Sequence, residues 1–394
     1  MKKTKVVFFA EILVEEHDGA TRTMFQLIRR IPHADFEFLF ICGVGPNTVY
    51  GFECMRLPTL TLPINKTYKM VLPALAAHSL REKLDSFNPD VVHIATPALL
   101  GEFAVKYARQ RALPVISIYH THFISYIDYY LKKAPFLIDF AKAKIISGQR
   151  AFYNQCDAIY VPSESMITEL SDIGIESYRM KIWKRGIDTQ LFSPAKRNSD
   201  MMRKLTGNKH PVILFASRLV WEKNLETLFG IYDGLKDRGV KFNMLIAGDG
   251  IARKACETRM PDAIFTGKVD HANLSILYAS ADVFLFPSVS ETYGNVVPEA
   301  MASGLPCVIA DGGGSKDFIE QGVNGFRCSA YMISDYVSKL ELLLADERLQ
   351  QQFSARGIVY SKTFGWDQLA TSYFEDLLQL TGQSEETVPL KAIS

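Results

Sequence analysis

Two glutamates, Glu291 and Glu299, bracket a short turn in the segment SVSETYGNVVPEAMASGLP, residues 288–306. A continuous apolar run, ADVFLFP, precedes the segment and predicts a buried strand of a parallel sheet. Pro298 suits the first turn of a helix, because its missing N–H would be unpaired there anyway. A helix start beyond the carboxyl end of a strand attracts anions. Acids in that position are explained as acceptors for neutral hydroxyls on either side of an anion, or equally as ordinary loop and helix-turn acids.

Two basic residues follow a second predicted strand, PVILFAS, in the segment ASRLVWEKNLETLF. Arg218 stands just past that strand and Lys223 lies five residues further on, so both can approach the same strand edge. Arg binds phosphate through its planar fork and Lys binds it as a point charge, so the pair is a natural clamp for a diphosphate. For either residue alone, an ordinary surface position is the simpler explanation.

The sequence contains no D-x-D, no H-E-x-x-H and no clustered histidines, so we expect no bound metal. A departing nucleotide diphosphate would then be stabilised by protein cations and helix dipoles. The Gly-rich turn AGDGIAR lacks the third glycine of the dinucleotide fingerprint, which argues against NAD. A second turn places Gly312, Gly313 and Gly314 before a helix predicted from about Ser315, where they permit either close backbone approach to a ligand or simply a tight turn.

The first half of the chain supplies two histidines and one glycine as further candidates. His120 and His122 leave a predicted strand in VISIYHTHF, and residues two apart on extended chain share a face. One of them can therefore enter a ligand site, although a satisfied structural histidine is the commoner case. Gly19 precedes a helix predicted from about Thr21, where a backbone amide can meet a phosphate.

Residues 126–153 mix basic and aromatic side chains and carry a net charge of +3. Such a mixture favours contact with a membrane surface. It is equally typical of an ordinary helix with snorkelling lysines.

Length and composition exclude several classes of protein. The chain has 394 residues, 48% of them apolar, and a net charge of +1, which gives no argument for nucleic-acid binding. No apolar run has the length of a bilayer-spanning helix, and Glu11 interrupts the N-terminal run too early for a signal peptide. The six cysteines form no CxxC pair, so neither structural zinc nor a disulfide framework is expected. We therefore expect a cytoplasmic protein.

About ten apolar runs alternate with amphipathic stretches, which predicts parallel sheets built from crossovers. These runs are too many for one doubly wound unit, and the seam falls near residues 184–194, where turn residues gather. We predict an α/β protein with two Rossmann-like domains facing across a cleft, an N-terminal acceptor-binding domain at 1–185 and a nucleotide-sugar-binding domain at 186–365. Residues 366–394 would form a helix that returns to the first domain, plus a polar tail.

The chain resembles the retaining glycosyltransferases of GT-B fold, in the group that includes sucrose, mannosyl and glycolipid synthases. The resemblance covers nearly the whole chain and is most specific in E-x7-E, EAMASGLP, SRL-x3-K, AGDG and RGIDTQLFSP. It implies that Glu299 holds the ribose hydroxyls, and that Arg218 and Lys223 neutralise the diphosphate. It also implies that Glu291 and the backbone amides of 292–296 hold the donor sugar; the residues there are Thr292, Tyr293, Gly294, Asn295 and Val296. The base would be recognised by backbone around Lys268 and Val269.

The resemblance extends to the first half. It makes His120 the cleft histidine, so that the candidate catalytic residues are His120, Arg218, Lys223 and Glu291. YHTHF followed by tyrosines is similar to lipid-modifying members such as diacylglycerol glucosyl-, sulfoquinovosyl- and mannosyltransferases. One departure is the N-terminal loop, where relatives carry two adjacent glycines and this chain has Asp18 before Gly19. The phosphate contact expected of Gly19 is therefore the least defined.

The resemblance implies a metal-independent hexosyltransferase without a cofactor, which transfers from a nucleotide-diphosphate sugar with retention. We favour a UDP-hexose donor and a membrane lipid acceptor, with the protein peripheral on the inner face of the cell membrane. A polysaccharide or lipid-linked oligosaccharide is the alternative acceptor. A sugar-nucleotide epimerase and a non-catalytic sugar-nucleotide binding protein are alternatives of other classes, and the oligomeric state is left open.

Overall fold

The computed structural model describes residues 2–15, 17, 19–62, 65–119, 136, 138–291, 293–363 and 365–382. The described chain divides into two compact units. The first contains the described residues through 119, Asp139–Lys184, and those from Trp366 onward. The second contains the described residues 136 and 138, and Arg185–Gly365.

A sheet with strand order β10-β9-β8-β7-β1-β2-β4-β3 forms the centre of the first unit, in the ranges described above. Its strands are β1 (Thr4–Ile12), β2 (Phe36–Val44), β3 (Thr48–Val49), β4 (Phe52–Arg56), β7 (Val91–Ile94), β8 (Val115–Ile118), β9 (Ala158–Val161) and β10 (Met180–Ile182), while β5 (Thr59–Leu62) and β6 (Asn65–Val71) form a separate antiparallel pair. All neighbours in the large sheet run parallel except β3 and β4. Its inner strands are continuous buried runs, because helices cover both faces of a parallel sheet.

The second unit contains a parallel sheet of order β13-β12-β11-β14-β15-β16. Its strands are β11 (Val212–Ala216), β12 (Asn243–Ala247), β13 (Ile264–Gly267), β14 (Val283–Phe286), β15 (Cys307–Ala310) and β16 (Gly325–Cys328). The sequence-based prediction of parallel α/β sheets is confirmed in both units.

Helices connect these strands. In chain order they are α1 (Gly19–Ile28), α2 (Ala77–Phe87), α3 (Leu99–Gln110), α4 (Ile138–Tyr153), α5 (Glu164–Asp172), α6 (Ser199–Thr206), α7 (Leu225–Asp237), α8 (Arg253–Arg259), α9 (His271–Ser280), α10 (Val296–Ala302), α11 (Ile333–Ala345), α12 (Glu347–Ser361) and α13 (Trp366–Leu380). None of the helices within the described ranges is long and apolar enough to cross a membrane.

The last helix, α13, belongs to the first unit, as the sequence predicts. Its Tyr373 joins the apolar cluster on one face of the sheet. Polar contacts fix its register: Lys181 Nζ lies 2.7 Å from Asp376 Oδ1, and Trp183 Nε1 donates to the Leu369 carbonyl at 3.1 Å. Apolar burial and these directed bonds together hold α13 on the sheet.

Candidate functional site

The strand order of the second sheet reverses at β11, which pairs with β12 on one side and β14 on the other. In open α/β sheets, ligands bind beyond the carboxyl ends of strands at such a switch point. Arg218 and Lys223 follow β11, and Glu291 follows β14. The structure therefore brings three of the predicted residues to the carboxyl ends of adjacent strands.

A 3-10 turn, Trp221–Lys223, sets the spacing between the two cations. Asn224 ends the turn in the left-handed region with φ of 56°, which Asn tolerates better than most residues. The Lys223 side chain is only 5% exposed, whereas that of Arg218 is 65% exposed. The lysine is thus held by its surroundings, while the guanidinium reaches solvent.

Lys223 and Glu291 form a direct ion pair. Lys223 Nζ lies 2.5 Å from Glu291 Oε1, and the Ser288 hydroxyl donates to the same oxygen at 3.2 Å. The Glu291 side chain is 18% exposed. A buried ammonium needs a partner of opposite charge, and in this structure Glu291 provides it.

Further hydrogen bonds join the turn after β11 to the loops after β14 and β16. The Asn224 side-chain amide donates to the carbonyls of Pro287 and Ala330 at 3.1 and 3.0 Å. The Ser290 hydroxyl donates to the Glu222 carbonyl at 2.7 Å. Because these contacts lie on both sides of Lys223, they fix the lysine against the loop that carries Glu291.

Glu299 lies in the first turn of α10, which begins at Val296. An acid is favoured there by the partial positive charge of the helix start. Glu299 is buried, and the Tyr278 hydroxyl donates to its Oε2 at 3.5 Å. The second acid of the E-x7-E pattern is therefore anchored in the protein interior, one helical turn beyond the loop.

Tyr293 and Gly294 shape the loop between the two acids. Tyr293 is buried, its hydroxyl donates to the Arg185 carbonyl at 2.9 Å, and burial raises its pKa. Gly294 has φ of +77°, and a Cβ there would lie 2.7 Å from Ser315 Cβ, so glycine is required. Asn295 Oδ1 is buried and has no hydrogen-bond partner in the described part of the chain. The Tyr293 side chain thus supports the loop from inside.

The glycines of AGDG support the Arg218 loop by close backbone packing. A Cβ on Gly248 would lie 1.9 Å from the Ser217 carbonyl oxygen, and one on Gly250 would lie 2.3 Å from that of Leu219. Leu219 N also donates to the Asp249 carbonyl at 2.9 Å. These contacts explain this pair of glycines without a dinucleotide.

The other Gly-rich turn lies against the loop of Glu291. Gly314 N donates to the Glu291 carbonyl at 2.7 Å, and a 3-10 helix, Gly314–Phe318, follows. Of the two interpretations of Gly312, Gly313 and Gly314, this geometry favours tight packing of the turn.

The two residues predicted to meet the base lie elsewhere on the same sheet. Lys268 and Val269 follow β13, two strands away from β11. Lys268 is exposed, and Val269 packs partly against the apolar core of the second unit. The Gly248 N–H donates to the Gly267 carbonyl at 2.8 Å, which links this strand end to AGDG.

Of the candidates in the first half, Gly19 is described and is the first residue of α1. It lies in the first unit, and its carbonyl accepts a hydrogen bond from the Thr23 hydroxyl at 2.9 Å. His120, His122 and Thr292 lie outside the described residues. The structure therefore brings Arg218, Lys223 and Glu291 to neighbouring strand ends, whereas Lys268 lies two strands away.

In the sequence, Glu11 is seen only as an interruption of an apolar run. In the structure its carboxyl group is buried at the end of β1, and Val71 N donates to Oε2 at 2.8 Å. Burial raises the pKa of Glu11, against the opposing effect of its backbone hydrogen bonds. An acid inside a strand that is otherwise apolar was the available signal. Glu222, Asn224 and Ser288 were missed because their contacts are tertiary.

The segment 126–153 is described at residue 136 and from 138 onward. Phe136 is 82% exposed, and Phe140 near the start of α4 is 72% exposed. Lys144, one helical turn after Phe140, is exposed as well. An exposed phenylalanine one helical turn from an exposed lysine, as at Phe140 and Lys144, is typical of a surface that meets another partner.

In the described ranges, no group of three or more His, Cys, Asp and Glu side chains could hold a metal ion. The expectation of a metal-independent site stays a prediction.

Comparison with known proteins gives a consistent result. The family profile described as "Glycosyltransferase Family 4" matches residues 17–191, and that described as "Glycosyl transferases group 1" matches residues 197–359. The chain is 28% identical to a GDP-mannose-dependent alpha-mannosyltransferase of Corynebacterium glutamicum, over 99% of this chain and 92% of that protein. It is 30% identical to the sulfoquinovosyl transferase SQD2 of Arabidopsis thaliana, over 82% of this chain and 62% of that protein. It is 31% identical to the alpha-monoglucosyldiacylglycerol synthase of Streptococcus pneumoniae, over 74% and 66%.

Among solved structures, the sucrose-phosphate synthase of Thermosynechococcus elongatus superposes with a TM-score of 0.77 at 17% identity, covering 97% of this chain and all of that one. Two parallel-sheet units with charged residues at a switch point define a two-domain α/β enzyme of the GT-B fold. The chain belongs to the group 1 glycosyltransferase family.

Proposed function

We propose that this chain transfers a hexose from a nucleotide-diphosphate sugar to a membrane lipid, with retention of anomeric configuration and without a metal ion. The observation that carries the proposal is the cluster of Arg218, Lys223 and Glu291 at the carboxyl ends of β11 and β14. The cations suit a diphosphate, and the carboxylate suits sugar hydroxyls. The buried Glu299 carboxylate would accept the ribose hydroxyls.

In this mechanism the acceptor oxygen attacks the anomeric carbon from the face that the diphosphate leaves. The bond from carbon to the acceptor oxygen forms while the bond to the phosphate oxygen breaks, and the acceptor's proton passes to that phosphate oxygen. Arg218 and Lys223 stabilise the negative charge that develops on the leaving group. Glu291 is bound to an ammonium in the free protein, which supports a role in binding over a role as a nucleophile.

The donor nucleotide is a choice between two bases. The sequence-based preference for a UDP-hexose stays a prediction. Relatives from Corynebacterium and Mycobacterium named as GDP-mannose-dependent support GDP-mannose as the first donor to test. UDP-glucose and UDP-galactose belong in the same panel.

Two observations support a lipid acceptor. Relatives include proteins named as a sulfoquinovosyl transferase and an alpha-monoglucosyldiacylglycerol synthase. The exposed Phe140 and Lys144 would place the start of α4 against a membrane surface. A carbohydrate or lipid-linked oligosaccharide remains the alternative acceptor.

The deciding experiment measures nucleotide release from the donor panel with and without membrane lipid extract, followed by mass spectrometry of the lipids. With EDTA in the assay buffer, we expect one donor to transfer a hexose to a lipid. NMR of the product should show the same anomeric configuration as in the donor. Release that ignores lipid would favour a carbohydrate acceptor. Interconversion of donors without acceptor would identify an epimerase, and binding without turnover would identify a binding protein.

A further inference from the structure

In sequence, Glu222 lies between Arg218 and Lys223, the two cations of the candidate diphosphate site. Its side chain is 9% exposed, while that of its neighbour Arg218 is 65% exposed. Arg218 Nη2 lies 3.7 Å from Glu222 Oε1. A carboxylate removed from water is costly unless a positive group accompanies it. The guanidinium of Arg218 faces the Glu222 carboxylate from the solvent-exposed side.

The backbone of Glu222 is fixed independently of this ion pair. Its carbonyl accepts the Ser290 hydroxyl at 2.7 Å, and the side chain of Asn224, two residues on, donates to the Pro287 carbonyl at 3.1 Å. The carboxylate is therefore presented from a rigid turn. The more exposed Arg218 has rotamers to choose from, and Glu222 can select among them.

A guanidinium has five N–H donors in one plane. When one edge faces Glu222, the opposite edge stays available for a pair of phosphate oxygens, which is the arrangement that binds phosphate best. Lys223 needs no such help, since it is already buried against Glu291. The two cations thus differ in what they require from a neighbouring acid.

We propose that Glu222 is a positioning residue that orients Arg218 toward the donor diphosphate, an inference that rests on the proposed function. A purely electrostatic acid at this place would act in the opposite direction. It would repel phosphate, so its neutralisation would tighten diphosphate binding. The sign of the effect therefore separates positioning from bulk charge.

The test measures affinity for GDP and UDP, and for guanosine and uridine, by calorimetry. For Glu222→Gln we expect about two- to fivefold weaker binding of the nucleoside diphosphate and unchanged binding of the nucleoside, the range of a partly exposed ion pair. Glu222→Asp keeps the charge but shortens the reach, so it should weaken binding too. Glu226→Gln, an exposed acid on the next helix, removes the same charge and should change little.

Arg218→Ala distinguishes this inference from the function beneath it. If Glu222 acts through Arg218, the double variant Glu222→Gln with Arg218→Ala should bind the diphosphate as weakly as Arg218→Ala alone. Tighter or unchanged binding in Glu222→Gln, or full affinity in Glu222→Asp, would overturn the positioning role. Wild-type diphosphate affinity in Arg218→Ala would instead contradict the assignment of the diphosphate site, and with it the proposed function.

Discussion

Glu291→Gln tests whether the ion pair at the candidate site competes with the donor. In the free protein Glu291 Oε1 lies 2.5 Å from Lys223 Nζ. A donor phosphate would approach the same ammonium from its other side. The phosphate must then share Lys223 with a carboxylate of its own sign.

The size of this competition follows from the distances. A phosphate oxygen in a charge-assisted bond about 2.8 Å from Lys223 Nζ would lie roughly 5 Å from Glu291 Oε1. Two unit charges at that distance repel by about 1 kcal/mol in water and about 3 kcal/mol at an effective dielectric of 20. Because Glu291 keeps some solvent contact, we expect the lower value, which corresponds to roughly fivefold tighter binding of the free nucleoside diphosphate.

Transfer should respond in the opposite direction. Glu291 is also the proposed acceptor for a hydroxyl of the donor sugar, and a hydrogen bond to a charged group contributes about 1.5–3 kcal/mol. Glu291→Gln should therefore lower kcat/KM by roughly 10- to 100-fold while it tightens binding of the free nucleoside diphosphate. Calorimetry with GDP and UDP and steady-state kinetics with the active donor measure both effects. Weaker diphosphate binding in this variant would refute the competition and show that Glu291 supports the phosphate site.

Three further variants test separate parts of the structure. Glu299→Ala should weaken binding of the nucleoside diphosphate by roughly 10- to 100-fold, while its affinity for the 2′,3′-dideoxy analogue should equal that of the wild type. Equal losses of affinity for both ligands would contradict the ribose assignment. His93 is fully buried, and burial lowers its pKa to about 3. The stabilising contribution of neutral His93 should therefore be fully present above the unfolded pKa of about 6.5, and the free energy of unfolding should fall by about 2 kcal/mol between pH 7 and pH 5. Urea unfolding should show a smaller fall in His93→Gln. Phe140→Asp should reduce co-sedimentation with anionic lipid vesicles severalfold, whereas the control Val359→Asp, at another exposed apolar position, should not; equal loss in both would contradict a specific role for α4.

Sequence patterns predicted the inner strands of both sheets well, because buried parallel strands are continuous apolar runs. They missed β3, β10 and β16, which lie at the edges of the sheets, and β4, which lies next to the edge strand β3. They also missed the separate pair of β5 and β6. The short pair of β3 and the segment GFRC of β16 lack a continuous apolar run. An edge strand pairs on one side only and is less completely covered, so its composition is less constrained.

The candidate site was predicted for a similar reason. Arg218 and Glu291 each follow an apolar run, and the carboxyl ends of parallel strands lie along one edge of a sheet. The ion pair between Lys223 and Glu291 could not be predicted from the sequence, because 68 residues separate the two side chains. The AGDG glycines were compared with a dinucleotide-binding motif. In the structure, Gly248 must be glycine because a Cβ there would clash with the Ser217 carbonyl oxygen.

The charges of the candidate site are balanced before any ligand arrives. Lys223 faces Glu291, and Arg218 faces Glu222. A ligand with only phosphates could engage the cations but would leave Glu291 facing an anion. A ligand with only hydroxyls could engage Glu291 but would have to take it from Lys223. A nucleotide sugar carries both kinds of group within one molecule, so it can satisfy the cations and the carboxylate together. The paired charges of this site therefore favour the whole donor over either of its fragments.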